Sequence, residues 1–432
     1  MSEIQDKAVG FLKRYEMDHE EMDFEANVEI FLKEMEKGLE GQQSTLAMIP
    51  TYIEAQADIS KNVPVIVMDA GGTNFRVASV YFDNNGKPVI ENFSKFEMPG
   101  VESRVGKEDF FGTMAEYIRD VINVSDNVGF CFSYPTEIYP NKDGRLLMFS
   151  KQIKADEVVG ELVGENLNIS IKKLGIGSEK HIVILNDTVT TLLAGSGLYG
   201  GRYDGYVGFI LGTGTNCCYV EKNENIRKCP DLEPSGRQII NCESGGFGRV
   251  SRGGIDEAFD SKLKDPGVYK FEKMVSGAYL GPLYLEVIKT AAGDGLFSEE
   301  TTEGLKEAEM LETQQLDAFI SSPNRDNLLA LLCKSSEDRQ MLCCLAERLV
   351  ERAARLTAVN LSAMVIKSGG GKDSKRPVCI VAEGTTFYEM NGLKEKTEHY
   401  LREYLGERGI YFDIVNVENS TLIGAAIAGL TN

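Results

Sequence analysis

The sequence predicts a two-domain α/β protein, and three observations support this class. The chain has 432 residues, more than a single hydrophobic core usually serves. Apolar strand segments alternate with segments of helical periodicity, which is typical of an α/β architecture. An apolar strand, a Gly/Thr turn and a second strand occur at 64–83 and again at 206–222, so we expect two related half-structures in the chain.

The first half of the chain is predicted to begin with a helix and to continue in strands and helices. Apolar side chains recur at helical intervals within 24–39, β-branched runs flank a polar turn within 64–83, and Pro135 follows the apolar run at 128–133. The predicted elements are a helix at 24–39, a strand–turn–strand unit at 64–83, a helix near 107–123, a buried strand at 128–133 and a strand at 182–185 that leads into a helix.

The second half repeats the strand–turn–strand unit and then becomes mostly helical. Leucines recur at helical intervals within 340–365, and a run of three glycines after Ser368 predicts the end of that helix. The predicted elements are strands within 206–222, helices over most of 252–365, a strand entering a turn at 377–385 and a small-residue helix at 424–430.

One motif match does not fit its context. Residues 195–200 have the spacing Gly-x-Gly-x-x-Gly of dinucleotide-binding proteins. That fingerprint needs a strand before it and a helix after it. Here a predicted helix precedes the glycines and a strand follows, so we interpret the segment as a helix end and a loop.

Composition and charge indicate a folded protein and exclude some partners. Hydrophobic residues make up 42% of the chain and charged residues 26%. A net charge of −20 argues against non-specific binding to nucleic acid or to an anionic membrane. Any site for a polyanion must therefore be locally basic, or must use backbone amides and a metal.

The sequence also favours a cytoplasmic location. It shows no signal peptide at its start and no apolar run of about 18 residues or more. The nine cysteines include no Cys-x-x-Cys pair, which predicts reduced thiols rather than disulfides or a metal centre. Three histidines, none in a catalytic context, make a histidine-based centre unexpected.

The turn of the first strand–turn–strand unit has the residues of a phosphate site. Glycines at 71 and 72 let backbone amides approach an anion, Arg76 offers a forked donor, and Asp69 is suited to a hydrated Mg²⁺. An ordinary Gly-Gly hairpin is the alternative. Two further turns of this type follow strands at 212–215 and 384–385, and the hydroxyls of the three turns belong to Thr73, Thr213 and Thr385.

Asp187 follows the strand at 182–185, at the carboxyl end where α/β proteins place ligands. Two roles are open to it from the sequence alone. It could cap the helix that follows, as Asx residues commonly do. It could instead accept the proton of a hydroxyl group that attacks a phosphoryl group.

A separate set of amides, carboxylates and hydroxyls suits a sugar, whose hydroxyls both donate and accept hydrogen bonds. Its glutamates are embedded among glycines and apolar residues rather than in charge runs. The set comprises Ser133, Ser150, Lys151, Asn186, Asn216, Glu243 and Glu272.

Six motifs occur in the order of one known family. They are Asp69-Ala-Gly-Gly-Thr-Asn-Phe-Arg76, Phe132-Ser-Tyr-Pro135, Leu185-Asn-Asp-Thr188, Gly212-Thr-Gly-Thr-Asn216, Asn241-Cys-Glu243 and Glu272-Lys-Met-Val-Ser-Gly277. By these motifs the chain, from about Phe31 to its last helix, resembles the hexokinase family of the actin-like ATPase (ribonuclease H-like) fold. The resemblance implies a cleft between a small domain, 58–189 completed by 413–432, and a large domain, 190–412 with the N-terminal helical segment 1–57.

The resemblance also implies a role for each site residue. Asp187 would be the base that deprotonates the sugar 6-hydroxyl, and the amide, carboxylate and hydroxyl set would hold the sugar. Asp69 would orient Mg²⁺ through water. The residues implied to contact ATP are Asp69, Gly72, Thr73, Asn74, Arg76, Thr213, Gly384 and Thr385.

The sequence departs from the family pattern at four places. Ser244 stands where Trp is usual after the glutamate, Ser150 stands where Thr is usual, and Glu383 replaces the Asp of an Asp-Gly turn. The nucleotide turn Gly-Ser-Gly-x-Gly near the C-terminus is replaced by residues 420–424, in which only Gly424 is kept. The adenosine contacts there, and hence the phosphoryl donor, are less constrained than the acceptor chemistry.

We therefore expect a hexokinase that transfers the γ-phosphoryl group of Mg-ATP to the 6-hydroxyl of a hexose, with glucose as the expected substrate. Three alternatives stay open. One is a kinase that phosphorylates mannose, fructose or an N-acetylated hexosamine, or that uses another phosphoryl donor. Another is a catalytically silent sugar sensor. A chaperone or filament ATPase of the same fold is the third, although the sugar-type residues argue against it.

Overall fold

The computed structural model describes residues 3–55, 58–149, 153–325 and 327–432. The strands are β1 (Ile49–Pro50), β2 (Val65–Gly71), β3 (Asn74–Phe82), β4 (Pro88–Glu97), β5 (Asn127–Phe132), β6 (Thr136–Ile138), β7 (Gly144–Leu146), β8 (His181–Leu185), β9 (Gly205–Leu211), β10 (Thr215–Lys222), β11 (Arg237–Asn241), β12 (Val378–Glu383) and β13 (Phe412–Val415).

Helices separate and cover these strands, as the predicted α/β class requires. They are α1 (Glu3–Arg14), α2 (Phe24–Leu39), α3 (Lys107–Tyr117), α4 (Val163–Leu174), α5 (Asp187–Leu198), α6 (Gly254–Ser261), α7 (Glu272–Val275), α8 (Leu280–Gly293), α9 (Glu299–Glu307), α10 (Thr313–Ser321), α11 (Leu328–Leu332), α12 (Ser336–Ser368), α13 (Thr385–Glu389), α14 (Leu393–Glu407) and α15 (Ser420–Thr431). No helix among the described residues is both long and apolar enough to cross a membrane.

Two mixed sheets with the same internal order form the framework. The first has the order β4-β3-β2-β5-β8, and the second has the order β1-β11-β10-β9-β12-β13. In each sheet three antiparallel strands, β2–β4 or β9–β11, are followed by two parallel strands, β5 and β8 or β12 and β13. Apart from β1, which pairs with β11, the second sheet therefore repeats the first. The expected pair of related half-structures is present.

Helices α5 and α15 lie between the two sheets. Helix α15 packs on β2 and β5 of the first sheet, α5 packs on β9 and β12 of the second, and the two helices pack on each other. Their apolar side chains join one buried cluster with residues of both sheets, such as Val67 and Val381. A Cβ atom at Gly424 would collide with the Thr190 carbonyl, so the small residues of α15 permit this close approach.

Helix α12 is the long helix of the second half. Its first turn is capped by the Ser335 side chain, which accepts a hydrogen bond from the Asp338 amide at 3.0 Å. It ends at Gly369, which has a left-handed backbone with φ of 74°. The predicted stop after Ser368 is therefore confirmed, and so are the bounds 24–39 of α2.

Two predicted helix bounds are wrong, each for a physical reason. Helix α3 ends at Tyr117 rather than near 123, because Ile118, Val121 and Val124 continue in successive tight turns instead of α-helix. Helix α15 begins at Ser420 rather than Gly424. Its first residues make long-range side-chain contacts, which local periodicity does not reveal. The glycines at 195–200 lie at the end of α5 and in the following loop, as expected.

Candidate active site

Several strand ends and helix starts meet between the two sheets. The carboxylates of Asp69 on β2, Asp187 on α5 and Glu383 on β12 lie near one another there. Burial raises the pKa of the Glu383 carboxyl, and the neighbouring Asp187 and Asp69 carboxylates raise it further. Three elements that are distant in sequence therefore place acidic groups in one common environment.

The first hairpin contains an ion pair beside its turn, in which Asp69 is buried and Arg76 is half-buried. Asp69 and Arg76 face each other in the β2–β3 register, and Arg76 Nη1 donates to Asp69 Oδ2 at 3.0 Å. Thr421 Oγ1, from the start of α15, donates to the same oxygen at 3.2 Å. Burial raises the pKa of Asp69, whereas Arg76 and Thr421 oppose this shift by favouring the carboxylate.

The turn of this hairpin is fixed by hydrogen bonds to its carbonyl groups, and its Thr73 side chain is exposed to solvent. Tyr134 Oη donates to the Gly72 carbonyl at 2.9 Å, and the Met98 amide donates to the Thr73 carbonyl at 2.9 Å. The Thr73 side chain is exposed, and Asn74 is half-buried. These two hydrogen bonds to turn carbonyls thus fix the turn, while its Thr73 hydroxyl faces solvent, where a phosphate can reach it.

Asp187 is the first residue of α5, and Asn186 is the residue that caps this helix. The Asn186 Oδ1 atom accepts from the Thr188 amide at 3.0 Å and from Thr188 Oγ1 at 2.7 Å. The same amide also lies 2.9 Å from Asp187 Oδ1. The alternative in which Asp187 serves as the helix cap is therefore wrong. Its carboxylate lies at the positive end of a helix, where negative charge is stabilised.

Asn216, on β10, connects the polar residues of the second half. Its Nδ2 atom lies 3.4 Å from Asn186 Oδ1 and 3.3 Å from Glu243 Oε1. Its Oδ1 atom accepts from the Cys217 amide at 2.7 Å and the Ser244 amide at 3.1 Å. These contacts show that three residues of the predicted sugar set, from three different elements, are brought together.

The two glutamates of that set are held in different ways. Glu243 has a left-handed backbone with φ of 54°, and burial raises the pKa of its carboxyl group. Glu272 begins α7, and its Oε2 atom accepts from the Thr215 amide at 2.9 Å. Burial raises the pKa of Glu272 to about 7, and the Glu243 carboxylate contributes to the increase.

The second and third Gly/Thr turns are joined by a hydrogen bond and by close backbone packing. The Gly212 carbonyl accepts from Thr386 Oγ1 at 2.9 Å and from the Gly277 amide at 2.8 Å. Gly384, with φ of 113°, packs so closely on the Leu211 carbonyl that a Cβ atom would collide with it. The turns that contain Thr213 and Thr385 are therefore in direct contact, together with the segment that follows α7.

Three residues of the sugar set need separate comment. Ser133 lies against the first hairpin, with its amide donating to the Ala70 carbonyl at 3.1 Å and its hydroxyl 3.6 Å from Cys131 Sγ. Ser133 is thus placed beside Gly71 and the turn of the first hairpin. Ser150 and Lys151 lie outside the described residues.

Two contact residues were not predicted from the sequence. Thr421 bonds to Asp69, a residue 352 positions away, and nothing local indicates that partner. Asn241 bonds to both Asn216 and Glu243. Asn241 begins the motif Asn241-Cys-Glu243, and a buried amide inside a strand needs polar partners, so both signals could have drawn attention to it.

The donor atoms also indicate what kind of metal site is compatible. Among the described residues no group of three or more His, Cys, Asp or Glu side chains is arranged to hold a metal ion. Arg76 and Thr421 both donate to Oδ2 of Asp69 and leave Oδ1 of this single carboxylate to other partners. Such a donor set fits Mg²⁺, which is commonly held by one or two carboxylates, water and substrate phosphates.

Comparison with known proteins extends this picture to the whole chain. Family models described as hexokinase match residues 9–196 and 206–431. The chain is 30% identical to hexokinase-1 of Schizosaccharomyces pombe over 92% of this chain and 85% of that protein. It is also 30% identical to glucokinase-1 of Kluyveromyces lactis over 93% of each chain.

A solved structure supports the same architecture. The hexokinase of Schistosoma mansoni in complex with glucose superposes with a TM-score of 0.80, covering 99% of this chain and 98% of that one at 24% identity. This likeness confirms the two-domain α/β arrangement expected of the actin-like ATPase fold.

The fold and the sequence matches together define a sugar kinase. The chain belongs to the hexokinase family, a family of ATP-dependent hexose kinases.

Proposed function

We propose that this protein transfers the γ-phosphoryl group of Mg-ATP to the 6-hydroxyl of glucose, giving glucose 6-phosphate and ADP. The observation that carries the proposal is the position of Asp187. It begins a helix whose capping residue, Asn186, lies within 3.4 Å of Asn216 on the sugar-type side. Its carboxylate also shares the environment of Asp69 on the phosphate-type side.

Asp187 acts as the general base in this proposal. The sugar 6-hydroxyl gives its proton to the carboxylate as its oxygen attacks the γ-phosphorus, and the bond between the γ-phosphorus and the β–γ bridging oxygen breaks to release ADP. Proton acceptance of this kind and the precise placement of both substrates are the main contributions of a kinase to phosphoryl transfer. The N-terminus of α5 supports the negative charge of Asp187 before the reaction.

The sugar lies against the amide and carboxylate groups in this proposal. Asn186 and Asn216 supply amide groups and Glu243 and Glu272 supply acceptors, so that hydroxyls in fixed positions each find a partner. Ser133 binds from the side of the first hairpin. Ser150 and Lys151 keep their proposed sugar-binding roles from the sequence.

The donor phosphates lie along the three Gly/Thr turns. Asp69 would hold Mg²⁺ through water, and Mg²⁺, when bound, offsets the charge of the phosphates. Arg76 is half-buried and paired with Asp69, so it can keep one fork nitrogen on the carboxylate and present the others to phosphate oxygens. The remaining proposed contacts are Gly72, Thr73, Asn74, Thr213, Gly384 and Thr385.

The two sheets provide the proposed domains and the cleft between them. We assign 58–189 with 413–432 to a small domain and 190–412 with 1–57 to a large domain. Closure of the cleft around both substrates would exclude water, which otherwise competes with the sugar as acceptor. Helices α5 and α15 pack on each other and on different sheets, so we propose that such a motion turns about this pair of helices.

Glucose is proposed as the hexose for two reasons. One solved relative was captured with glucose, and one curated relative is a glucokinase. The carboxylates of Glu243 and Glu272 also suit an acceptor that presents several free hydroxyls, since each can accept bonds that an N-acetyl group would remove.

An ADP-release assay with a panel of hexoses and phosphoryl donors tests the proposal. The wild-type protein is expected to turn over glucose with ATP. Asp187→Ala should reduce kcat about 100-fold or more, because general-base catalysis commonly contributes that much. Glu165→Ala is a matched control, since Glu165 is an exposed acid in the first turn of α4, away from the cleft.

The outcomes separate the parts of the proposal. Turnover of no hexose with any donor would refute the kinase function. Turnover with pyrophosphate or GTP in place of ATP would refute the donor, and a preference for mannose, fructose or N-acetylglucosamine would refute the acceptor. Wild-type kcat in Asp187→Ala would refute the role of the base.

A further inference from the structure

Asn241 occupies the last position of β11, directly behind the sugar-type residues. In the sheet it pairs with Cys218 of β10 on one side and with Ile49 of β1 on the other. The residue is 5% exposed, so each end of its amide needs a partner inside the protein. No part of the proposed reaction uses Asn241 as a contact to either substrate.

Both ends of this amide are used by proposed sugar-binding residues. Asn216 Nδ2 donates to Asn241 Oδ1 at 2.8 Å, and Asn241 Nδ2 donates to Glu243 Oε1 at 2.8 Å. The direct contact from Asn216 to Glu243 is longer, at 3.3 Å. The shorter hydrogen bonds that link these two proposed sugar-binding side chains therefore pass through Asn241.

The polarity of the whole chain of bonds is fixed by the backbone. Asn216 Oδ1 accepts from the amides of Cys217 and Ser244, so its Nδ2 group must point the other way. Asn241 must then present its oxygen to Asn216 and its Nδ2 group to Glu243. Donors consequently converge on Glu243 Oε1, and the same carboxylate keeps Oε2 for another partner.

Glu243 needs this support more than an ordinary surface carboxylate. Its backbone is left-handed with φ of 54°, a conformation that is costly for a non-glycine residue and is common at functional sites. Burial raises the pKa of its carboxyl group, whereas the bond from Asn241 opposes that rise and favours the charged form.

We propose that Asn241 is a positioning residue of the sugar site, which orients Glu243 and Asn216 so that Glu243 Oε2 accepts a sugar hydroxyl. This inference rests on the proposed sugar-binding role of Glu243. Asn241 acts through its two partners and does not touch the substrate. Its loss is expected to weaken sugar binding and to leave the donor side unchanged.

The sharpest test is Asn241→Asp, which keeps the shape and replaces the donor with an oxygen facing Glu243. At pH 8 two carboxylates would then be in contact, and the Kd for glucose should rise about 10-fold or more. At pH 6 a shared proton restores a donor between them, so the Kd relative to wild type should recover. Asn241→Ala should raise the Kd at both pH values.

Asn27→Asp is the control for a general loss of stability. Asn27 is also a buried amide with both ends bonded, to the Asp23 carbonyl and to the Ser251 backbone and side chain, but it lies on α2 away from the cleft. Its substitution should leave the Kd for glucose unchanged. The KM for ATP should stay within about 2-fold in every variant, since none of these bonds reaches the phosphate-type turns.

Isothermal titration of glucose without a donor keeps this inference separate from the proposed reaction. A folded Asn241→Asp protein that binds glucose as wild type does at pH 8 would overturn the positioning role. For Asn241→Asp, an increase in Kd relative to wild type that is the same at pH 6 and pH 8 would also overturn it. A merely structural defect would not depend on protonation of the two carboxylates. Should wild type bind glucose and show no kinase activity, the reaction fails while this test stands.

Discussion

The two central hairpins occupy equivalent places in the two sheets, yet they have different chemistry. In the first hairpin, the last pair before the turn is Gly71 with Asn74, and the pair two positions earlier is Asp69 with Arg76. In the second, the equivalent pair is Phe209 with Cys217. The second hairpin instead has its polar residue, Asn216, one position closer to the turn. The same strand geometry thus supports an ion pair in one half and an amide in the other.

This difference shows how a repeated framework can serve two substrates. A charged pair and an open Gly/Thr turn suit phosphates and a hydrated metal. An amide whose orientation is fixed by two backbone amides suits neutral hydroxyls. The division of roles depends on a few side chains beside each turn, so substitutions there should affect one substrate and spare the other.

The largest separation is expected from Asp69→Asn. The variant keeps the shape of the side chain but removes the charge that faces Arg76 and the proposed metal. We expect kcat with ATP to fall about 100-fold, as is common when a group that supports phosphoryl transfer is lost. Steady-state kinetics with varied Mg²⁺ and ATP measures this effect. A variant with wild-type kcat would show that the first hairpin is not the phosphate side.

Glu272→Gln tests the sugar side through pH. Because the pKa of Glu272 is raised to about 7, its carboxylate should accept sugar hydroxyls better at pH 8 than at pH 6. The wild-type Kd for glucose should therefore fall as pH rises through 7, and the variant should lose this dependence and bind about 10-fold more weakly at pH 8. Calorimetric titrations at several pH values measure both effects, and an unchanged pH profile in the variant would contradict the role of Glu272.

Glu272→Gln, which should weaken glucose binding at pH 8, should stabilise the fold at the same pH. A carboxyl group whose pKa is raised in the folded state stabilises the fold below its ordinary value of 4.5, and this contribution is lost as pH rises through about 7. Glu272→Gln should therefore raise the free energy of unfolding relative to wild type at pH 8, by about 1 kcal/mol or more, and less at pH 5. Denaturant unfolding at the two pH values checks this, and equal effects at both would contradict it.

A smaller effect is expected from Thr421→Val. The substitution removes the hydroxyl that donates to Asp69 Oδ2 and keeps the branched shape. A typical hydrogen bond is worth a net contribution of about 0.5–1.5 kcal/mol, so kcat/KM for ATP should fall roughly 2- to 12-fold. Thr421→Ser retains the hydroxyl and should behave as wild type. Equal loss in both variants would mean that the hydroxyl is not what matters.

The smallest effect is expected from thiol reagents. Cys217, Cys218 and Cys242 are fully buried near the sugar side, and burial raises their thiol pKa values, to about 12 for Cys217. All nine cysteines are free, and Cys229, Cys343 and Cys344 are only partly buried. Brief treatment with iodoacetamide should therefore modify these three first and leave activity intact. Rapid inactivation with label on Cys217, detected by mass spectrometry, would contradict this.

The sequence predicts those parts of the site that depend on local order. Asp187 and the Gly/Thr turns follow strands, and Asn216 lies at the start of β10, next to one of these turns. Strand ends in such folds lie near ligands, so the order of residues along the chain predicts their place. The bonds of Thr421 to Asp69 and of Asn241 to Asn216 and Glu243 could not be inferred, because they join elements that meet only in the folded chain. The capping role of Asn186 depends on the backbone where α5 begins, and a local pattern with Asp187 beside it did not distinguish the two residues.

The central claim is that the Asp69–Arg76 pair beside the first turn serves the phosphates and that Asn216 beside the second turn serves the sugar. Isothermal titration of glucose into Asp69→Asn and Asn216→Ala, without any phosphoryl donor, tests it most directly. The account predicts a wild-type Kd for Asp69→Asn and a Kd increased about 10-fold or more for Asn216→Ala. Loss of the Asn216 amide removes the donor to Asn241 Oδ1 and the acceptor of the Ser244 amide. An equal weakening of glucose binding in the two variants would contradict the division of roles between Asp69 and Asn216.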